Sequence, residues 1–321
     1  MTSPQVLWSA GTATGVGSLP GEDIAEALRS TLDTVPIPYL PELPARGWHA
    51  DLAGRGAALM ADLYVDVQPT GWRITPRPSR VGQRAKDELK RDLDALEDLT
   101  QDNPPELFKL QGTGVWTLAS LLELHRGSKL LSDPGAVIDL AASLAEGLAG
   151  HLADVQRRLP TTKLVLQLDE PALPGVLNAR IRTASGFATL RAPDPQTVRE
   201  RLRTVLGAAE RTVIHCCAPH PPIELMAEAG AISIDAAMID AHDHEALGVV
   251  LEQGTGLLLG VVPTSGRLPA VNKIRETVGR LRDRVGMTDV TLTPACGLAG
   301  STQEHAKAVM GRCVEAAEAQ R

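Results

Sequence analysis

Residues 163–173, KLVLQLDEPAL, are the stretch that decides the fold, because they join a short apolar run to a charged end. The run Lys163–Leu168 has the length and the aliphatic content of a buried β-strand. Asp169 and Glu170 follow at the point where this strand should end. The stretch therefore predicts a strand that brings two carboxylates to one edge of a sheet.

Seven further apolar runs occur along the chain, and amphipathic helical stretches separate them. In the stretch Gly135–Leu159, for example, Val137, Leu140 and Leu144 recur at helical spacing. Strands that alternate with helices are typical of a parallel sheet. The eight predicted strands are Thr12–Gly17, Ile37–Leu40, Leu107–Gln111, Lys163–Leu168, Thr212–His215, Ala231–Ile234, Gly256–Val262 and Val290–Thr293.

Eight strands favour a (β/α)8 TIM barrel, in which the carboxyl ends of the strands form the catalytic face. A doubly wound open sheet is the alternative, and it would place the same strand ends at a switch point. Convergence of candidate ligands favours the barrel. The polar or special residues at the predicted strand ends are Gly17, Ser18, Glu42, Gln111, Asp169, Glu170, His215, Asp235 and Cys296.

The chain has 321 residues, which one α/β barrel with its loops can accommodate, so we predict a single domain over residues 1–321. Pro36–Pro44 is expected to be a loop within it, and the charged stretch Arg80–Leu99 a solvated helix. The net charge is −7 without a block of basic residues. This pattern excludes an electrostatic footprint for nucleic acid or an anionic membrane, and indicates small-molecule or protein partners.

The first ten residues, MTSPQVLWSA, lack the charged and apolar segments of a signal peptide, and no apolar run approaches roughly 18 residues. We therefore expect a cytoplasmic protein. Four cysteines make a poor disulfide framework for a chain of this length, and in a reducing compartment they are more often ligands or catalysts. Cys313 lies in the last helical pattern and is expected to be buried.

Three distant segments, each at the end of an apolar run, offer the ligands of one zinc site. They are His215-Cys216-Cys217, Ile232–Asp235 and Pro294–Gly297. Zinc binds Cys sulfur, His nitrogen and carboxylate oxygen in a tetrahedron, and a reactive site keeps one position exchangeable. A structural zinc site is the alternative, but its ligands usually lie close together in sequence. Strand alternation allows only one of the two adjacent cysteines to share a side with His215.

Five motifs, in the order in which they occur along the chain, resemble those of the C-terminal catalytic barrel of cobalamin-independent methionine synthase. The resemblance extends over nearly the whole chain. The resemblance implies a barrel of the methionine synthase and uroporphyrinogen decarboxylase type. It further implies a zinc-dependent methyltransferase that converts a thiol, homocysteine, to a thioether, methionine. The motifs are GSLPG (17–21), QLDEPAL (167–173), HCC (215–217), ISID (232–235) and ACGL (295–298).

The resemblance also implies the site residues. Zinc would be held by His215, Cys217, Cys296 and Asp235, the last standing where the family normally has Glu. Asp169 would bind the amino group of homocysteine as the catalytic-site carboxylate. The carboxylate of homocysteine would meet Ser18 and the neighbouring backbone of Gly17. Glu170, at the same strand end as Asp169, is predicted to bind substrate, although both carboxylates could instead cap a helix or pair with an Arg.

Besides Asp235, four positions depart from the family pattern. Gly54, in the segment GRGAA, stands in place of a glutamate that helps to hold the amino acid. Three folate-binding positions are changed: Gly175 replaces a glutamate, Leu121 a stacking Trp with Trp116 close by, and Thr264 a proton-donating His. The N-terminal barrel of the full-length enzymes is also not part of this sequence. These changes favour a methylcorrinoid protein over methyltetrahydrofolate as the methyl donor.

Two other functions use the same predicted ligands. A thiol alkyltransferase would use the zinc thiolate to open an epoxide. A non-catalytic zinc-binding accessory protein would have kept the site without the reaction. The histidines His220, His242 and His244 could act as spare ligands, although surface histidines are the commoner case.

Overall fold

The computed structural model describes residues 11–287 and 289–320, so the predicted absence of a signal peptide in residues 1–10 lies outside the described part. Six strands form one parallel sheet in chain order, and a separate antiparallel hairpin precedes them. The strands are β1 (Tyr64–Gln68), β2 (Gly71–Thr75), β3 (Leu107–Thr113), β4 (Lys163–Asp169), β5 (Thr212–Cys216), β6 (Ala231–Asp235), β7 (Gly256–Val262) and β8 (Thr291–Pro294).

Helices follow most of the strands of the parallel sheet, as the alternating pattern predicts. The longest, over residues 134–158, begins at Pro134 because Asp133 caps its first turn and proline fits the first helical position. The α-helices are α1 (Ile24–Thr34), α2 (Leu52–Ala58), α3 (Arg80–Thr100), α4 (Val115–Leu121), α5 (Pro134–Arg158), α6 (Leu173–Leu177), α7 (Pro195–Leu206), α8 (Ile223–Met226), α9 (Ala241–Glu252), α10 (Val271–Val285) and α11 (Gln303–Glu318).

The first two predicted strands, Thr12–Gly17 and Ile37–Leu40, form isolated parallel bridges in place of continuous ladders. Thr14 N donates to Leu292 O of β8 at 3.1 Å, and Leu40 N donates to the carbonyl of Lys109 in β3 at 3.1 Å. The two segments also bridge each other. They connect the edge strands β8 and β3, so the sheet is curled. The second segment cannot form a full ladder because prolines at 36, 38 and 41 lack an N–H donor.

On one face of the parallel sheet, the buried side chains change from apolar to polar toward the carboxyl ends of the strands. Val165, Val213, Ala231 and Leu258 form a buried apolar cluster of their own, apart from the larger core between sheet and helices. Side chains two residues further along a strand point to the same side. On β4, β5 and β6 those residues are Gln167, His215 and Ser233, all buried. A polar layer therefore lies above the apolar layer, beneath the strand ends.

Helix α3 differs from its predicted character, and helix α5 agrees with its prediction but has an unusually apolar composition. The helix α3 was expected to be solvated, but its inner face is buried and includes Asp92, because Arg46 and Arg55 contact the carboxylate of Asp92 at 2.7 and 3.0 Å. Helix α5 is long and apolar enough to span a membrane by length and composition, with a mean hydropathy of 1.3. Its buried leucines, Leu140, Leu144 and Leu148, belong to the protein core.

The antiparallel hairpin of β1 and β2 was not predicted. It lies between α2 and α3, with a turn at Gly71 (φ 130°). A bridge from Arg73 to Glu123 attaches it to the segment after α4, and the two side chains form an ion pair at 2.7 Å. The hairpin is thus joined to the segment that follows α4 by both a backbone bridge and an ion pair.

Candidate active site

Three of the predicted metal ligands converge. His215 at the end of β5, Cys217 just after it and Cys296 just after β8 each offer one ligand atom, and these atoms lie within 4.8 Å of one another. The Sγ atoms of the two cysteines are 2.8 Å apart. Strand order explains the convergence, because β5 and β8 belong to one curled sheet and their carboxyl ends face the same side.

The imidazole of His215 is held by its neighbour on β6. Its Nδ1 shares a hydrogen bond of 2.9 Å with Ser233 Oγ. Its Nε2 is buried and has no hydrogen-bond partner among the described residues. A buried polar atom without a partner is uncommon and needs an explanation. A metal ligated by Nε2, beside two sulfurs, provides one.

The contact between Cys217 and Cys296 shifts the pKa values of the two thiols in opposite directions. Their mutual hydrogen bond, in which either sulfur could be the donor, lowers the pKa of Cys296 to about 4, opposed by burial and helped by His215. The same hydrogen bond raises the pKa of Cys217 far above its usual range. A dication would remove the protons of both thiols, since a coordinated thiol is deprotonated.

Asp235, the fourth predicted ligand, lies at the end of β6 but outside the 4.8 Å group of described residues. Its Oδ1 accepts a hydrogen bond of 2.9 Å from Ala237 N. Burial raises the pKa of Asp235, and the thiol of Cys296 raises it further. One nitrogen and two sulfurs fit zinc as three protein ligands, which leaves a position for a carboxylate or a substrate.

The other two cysteines are buried elsewhere. Cys216 is fully buried in the core on the opposite side of β5 from His215, as strand alternation requires. Cys313, in α11, is also fully buried. Of the four thiols, only Cys217 and Cys296 are half-buried and lie together.

Asp169, at the end of β4, is next to His215 in the register of the sheet. Its Oδ1 accepts a hydrogen bond of 2.7 Å from Gln167 Nε2, which also donates to Val16 O at 2.8 Å. Burial raises the pKa of the Asp169 carboxyl, and His215 partly offsets this. Asp169 is thus a buried carboxylate whose direct donor is a neutral amide.

Glu170 faces a helix rather than the thiols. Its carboxylate oxygens accept hydrogen bonds from the backbone N–H groups of Trp116 and Thr117, at 3.0 and 2.8 Å, and from the hydroxyl of Thr117 at 2.7 Å. Both backbone donors belong to the first turn of α4. This is the helix-capping role that the sequence left open for the Asp-Glu pair, and substrate binding by Glu170 stays a prediction.

Ser18 lies against the segment that carries Cys296. The carbonyl of Ser18 accepts a hydrogen bond of 2.8 Å from Leu298 N. A Cβ at Gly297 would lie only 2.1 Å from Ser18 Oγ, so the glycine of ACGL permits this close approach. Gly17 is in contact with Gln111, whose side chain lies 3.0 Å from where a Cβ would be. The predicted substrate residues of the first segment therefore adjoin the thiols.

Two buried charges beside the site were not predicted as site residues. Lys109, inside the strand β3, is fully buried; its Nζ donates to Val16 O at 2.8 Å and lies 5.0 Å from the Tyr39 ring centre. Glu42, one of the polar strand ends, is bridged to Ser18. The signal for Lys109 is a lone charge within an apolar run, LFKLQ, which strand periodicity alone would count as core.

The remaining candidates lie apart from the thiols. His220 contacts Asp243 at 3.3 Å and Asp240 at 3.7 Å, and these three form a separate, largely exposed group at the start of α9. The folate-related positions lie in segments that follow strands. Leu121 ends α4 and is partly exposed, Gly175 lies in α6, and Thr264 follows β7.

The fold and this cluster define the class of protein, a parallel α/β protein with a thiol-rich group of candidate metal ligands at the carboxyl ends of its strands. The chain belongs to the family of the cobalamin-independent synthase, catalytic domain, whose sequence profile matches residues 10–319. The resemblance drawn from the motifs is confirmed. Membership supports an enzyme that transfers a methyl group to homocysteine. It does not support the predicted methylcorrinoid donor, because the family is cobalamin-independent.

Solved structures with a similar fold include two proteins of this kind. One is a B12-independent methionine synthase from Shewanella sp. W3-18-1 in complex with selenomethionine, with 12% identity, coverage of 97% of this chain and 98% of that one, and a TM-score of 0.63. The other is the putative vitamin-B12 independent methionine synthase from Listeria monocytogenes, with 12% identity, coverage of 96% and 98%, and a TM-score of 0.62. At this identity the likeness concerns the fold. No curated protein matches the sequence.

Proposed function

We propose that the protein is a zinc-dependent methyltransferase that methylates the thiol of homocysteine to give methionine. The observation that carries the proposal is the meeting of His215, Cys217 and Cys296 within 4.8 Å, beside the buried carboxylate of Asp169. Family membership supplies the reaction class. The proposed fold is a closed eight-stranded barrel, in which the two bridged segments complete the six-stranded sheet, and residues 1–321 form one cytoplasmic catalytic domain.

Zinc would be held by His215, Cys217 and Cys296, with Asp235 as the exchangeable fourth ligand. When bound, it would keep the sulfur of the substrate as a thiolate at neutral pH. The chain itself orients the donors: Ser233 fixes the imidazole of His215, and the contact of Gly297 with Ser18 fixes the turn that carries Cys296.

The remaining parts of homocysteine would be bound at neighbouring strand ends. Asp169 would accept hydrogen bonds from the ammonium group of homocysteine. The hydrogen bond from Gln167 fixes the position of the Asp169 carboxylate. Ser18 and the backbone of Gly17 would bind the carboxylate, next to the thiols. These contacts would aim the sulfur at the methyl group, so that an S–CH3 bond forms while the bond from the donor atom to the methyl group breaks.

The donor that this family uses is methyltetrahydrofolate, and we propose it here. A folate methyl sits on a nitrogen that leaves poorly unless it is protonated, and general acid catalysis contributes about 10²- to 10⁴-fold in rate. Since Thr264 stands where the family has a proton-donating His, another acid, or water, has to supply that proton. Thioether formation from methyltetrahydrofolate tests the assignment, and no turnover with it would contradict this donor.

Metal content and activity of the purified protein test the proposal together. We expect stoichiometric zinc, methionine formation from homocysteine, and loss of both in Cys217→Ser and Cys296→Ser. The matched control is Cys313→Ala, which changes a fully buried thiol in α11 away from the cluster. Full zinc retention in both serine variants would reject the assigned ligands. Zinc binding without any thiol methylation would favour an accessory protein.

A further inference from the structure

We propose that Lys109 is a positioning residue for the carboxylate of the substrate, on which it acts through the peptide unit that joins Val16 to Gly17. The protein would therefore select thiols that carry a carboxylate over aminothiols that lack one. This inference rests on the proposed function, in which Gly17 and Ser18 bind the carboxylate of homocysteine. It gives a role to the buried charge of β3, which that function does not use.

The side chain of Lys109 reaches from the apolar layer of the sheet into the polar layer. Lys109 lies opposite Val165 in the register of β3 and β4, and it is fully buried. Its Nζ donates to Val16 O at 2.8 Å and to Gln111 Oε1 at 3.4 Å. The amine is therefore held against the segment that adjoins the thiols.

The ammonium of Lys109 has no anion in direct contact within residues 11–287 and 289–320. Burial lowers its pKa to about 8, and the charges of Asp169 and Glu42 oppose this shift, so the amine is still largely protonated at neutral pH. Its contacts are two neutral oxygens and the ring of Tyr39, whose centre is 5.0 Å from Nζ. A buried ammonium without a counter-ion is costly to the fold and attracts an anion.

The contact with Val16 O fixes the direction of the next N–H group. The C=O of Val16 and the N–H of Gly17 belong to one planar trans peptide unit, so they point in opposite directions. Val16 O accepts from Lys109 Nζ and from Gln167 Nε2, both at 2.8 Å and both from the polar layer. The N–H of Gly17 therefore points away from this layer, toward the strand ends where the thiols lie.

The N–H groups of Gly17 and Ser18 are available to a ligand. Within the described part of the chain neither donates a hydrogen bond to a protein atom, whereas the carbonyls of both residues accept one. Gly17 is buried, and a buried N–H without a partner is uncommon in proteins. A carboxylate bound there would accept from both N–H groups. The hydrogen bond from Lys109 polarises the peptide unit and would strengthen this interaction.

The test uses three thiols on the zinc-loaded protein, with affinities measured by calorimetry. They are homocysteine, 4-mercaptobutyrate, which lacks the amino group, and 3-aminopropanethiol, which lacks the carboxylate. We expect the wild type to bind 3-aminopropanethiol at least about 10-fold less tightly than homocysteine, because hydrogen bonds to a charged group are lost. Equal affinity for these two thiols would overturn the proposal without any variant.

Lys109→Met, which keeps the approximate length of the side chain without its charge, then assigns the effect to Lys109. It should weaken homocysteine and 4-mercaptobutyrate by about 10-fold, without weakening 3-aminopropanethiol, whose ammonium is no longer repelled. The KM for homocysteine should rise more than kcat falls, since the lost interaction holds substrate and transition state alike. Zinc content should stay stoichiometric, because the hydrogen bonds of Lys109 do not go to a proposed ligand.

Two further variants serve as controls. Lys163→Met removes an exposed lysine from the opposite end of β4, where Lys163 Nζ pairs with Glu106 at 3.2 Å, and it should change none of the three affinities. Lys109→Gln keeps a donor for Val16 O without the charge. Its affinity for homocysteine should lie between those of the wild type and Lys109→Met.

Equal losses for all three thiols in Lys109→Met would show a purely structural role and overturn the proposal, as would an unchanged affinity for homocysteine. If the wild type still binds and methylates homocysteine in that case, the proposed function stands. If the wild type binds none of the thiols, the proposal and the proposed function both fail. Should Lys109→Met not fold, Lys109→Gln and the comparison of the thiols on the wild type still decide the question.

Discussion

Ser233 is the residue on which the orientation of His215 depends, since its hydroxyl is 2.9 Å from Nδ1. Residues that hydrogen-bond to a metal-ligating histidine typically contribute 10- to 100-fold in metal affinity. We expect Ser233→Ala to weaken zinc binding by about that factor while Ser233→Thr, which keeps the hydroxyl, stays near wild type. Competition with a chromophoric chelator measures this. Equal zinc affinity in all three proteins would show that Ser233 does not position His215.

Asp235 is expected to be the ligand that leaves when a thiol binds. A third sulfur on a site that already holds two thiolates and a carboxylate would leave excess negative charge, so the carboxylate is the group to release. Extended X-ray absorption of the zinc protein, with and without homocysteine, should show the gain of one sulfur and the loss of one oxygen. An unchanged set of atoms bound to zinc would indicate a structural metal.

Glu42 should also make stability depend on pH. Burial raises the folded-state pKa of Glu42 to about 7, from an ordinary 4.5. The contribution of the protonated side chain to the stability of the fold is therefore fully present below pH 4.5 and is lost as the pH rises through 7. Glu42→Gln imitates the protonated form. Its unfolding midpoint relative to the wild type should therefore rise from about pH 5 to about pH 8. Denaturant titrations of both proteins at each pH check this, and a difference that is constant with pH would contradict it.

The helix α4 depends on a residue from another element. Its Ncap is Gly114, which offers no side chain, and Glu170 from the end of β4 accepts the hydrogen bonds of the first turn instead. Glu170→Gln removes the charge and places an amide N–H against backbone donors, so we expect a loss of about 2 to 3 kcal/mol in unfolding free energy. The exposed Glu146→Gln in α5 serves as the control. A loss below about 0.5 kcal/mol would argue against this cap.

The sequence predicted the strands of the parallel sheet better than it predicted the hairpin and the bridged segments beside that sheet. All six strands of the parallel sheet were predicted within two residues at either end, because each lies in a short, mainly apolar run. The hairpin β1–β2 was missed, since its strands are half-exposed and mix polar with apolar residues. The first two predicted strands were expected to be full strands, yet both form only isolated bridges, the second because Pro36, Pro38 and Pro41 lack an N–H donor.

Across the molecule, the sequence could place His215, Cys217 and Cys296 at strand ends but not state their separation. That separation depends on the curl of the sheet, which brings the ends of β5 and β8 together although two strands, β6 and β7, lie between them. The roles of Asp92 and Arg55 could not be predicted for a similar reason. Each looks like a surface charge in its own helix, and only the packing of α2 on α3 shows that they neutralise each other inside the protein.

The placement of the four thiols has a practical consequence in chemical labelling. Burial shields Cys216 and Cys313, whereas Cys217 and Cys296 are half-buried and, as the proposed ligands, would be masked by the metal. Treating a native cell extract with iodoacetamide, followed by mass spectrometry of the peptides that contain each cysteine, would then report metal occupancy directly. A molecule with zinc would resist alkylation at all four positions, and one without it would be modified at two.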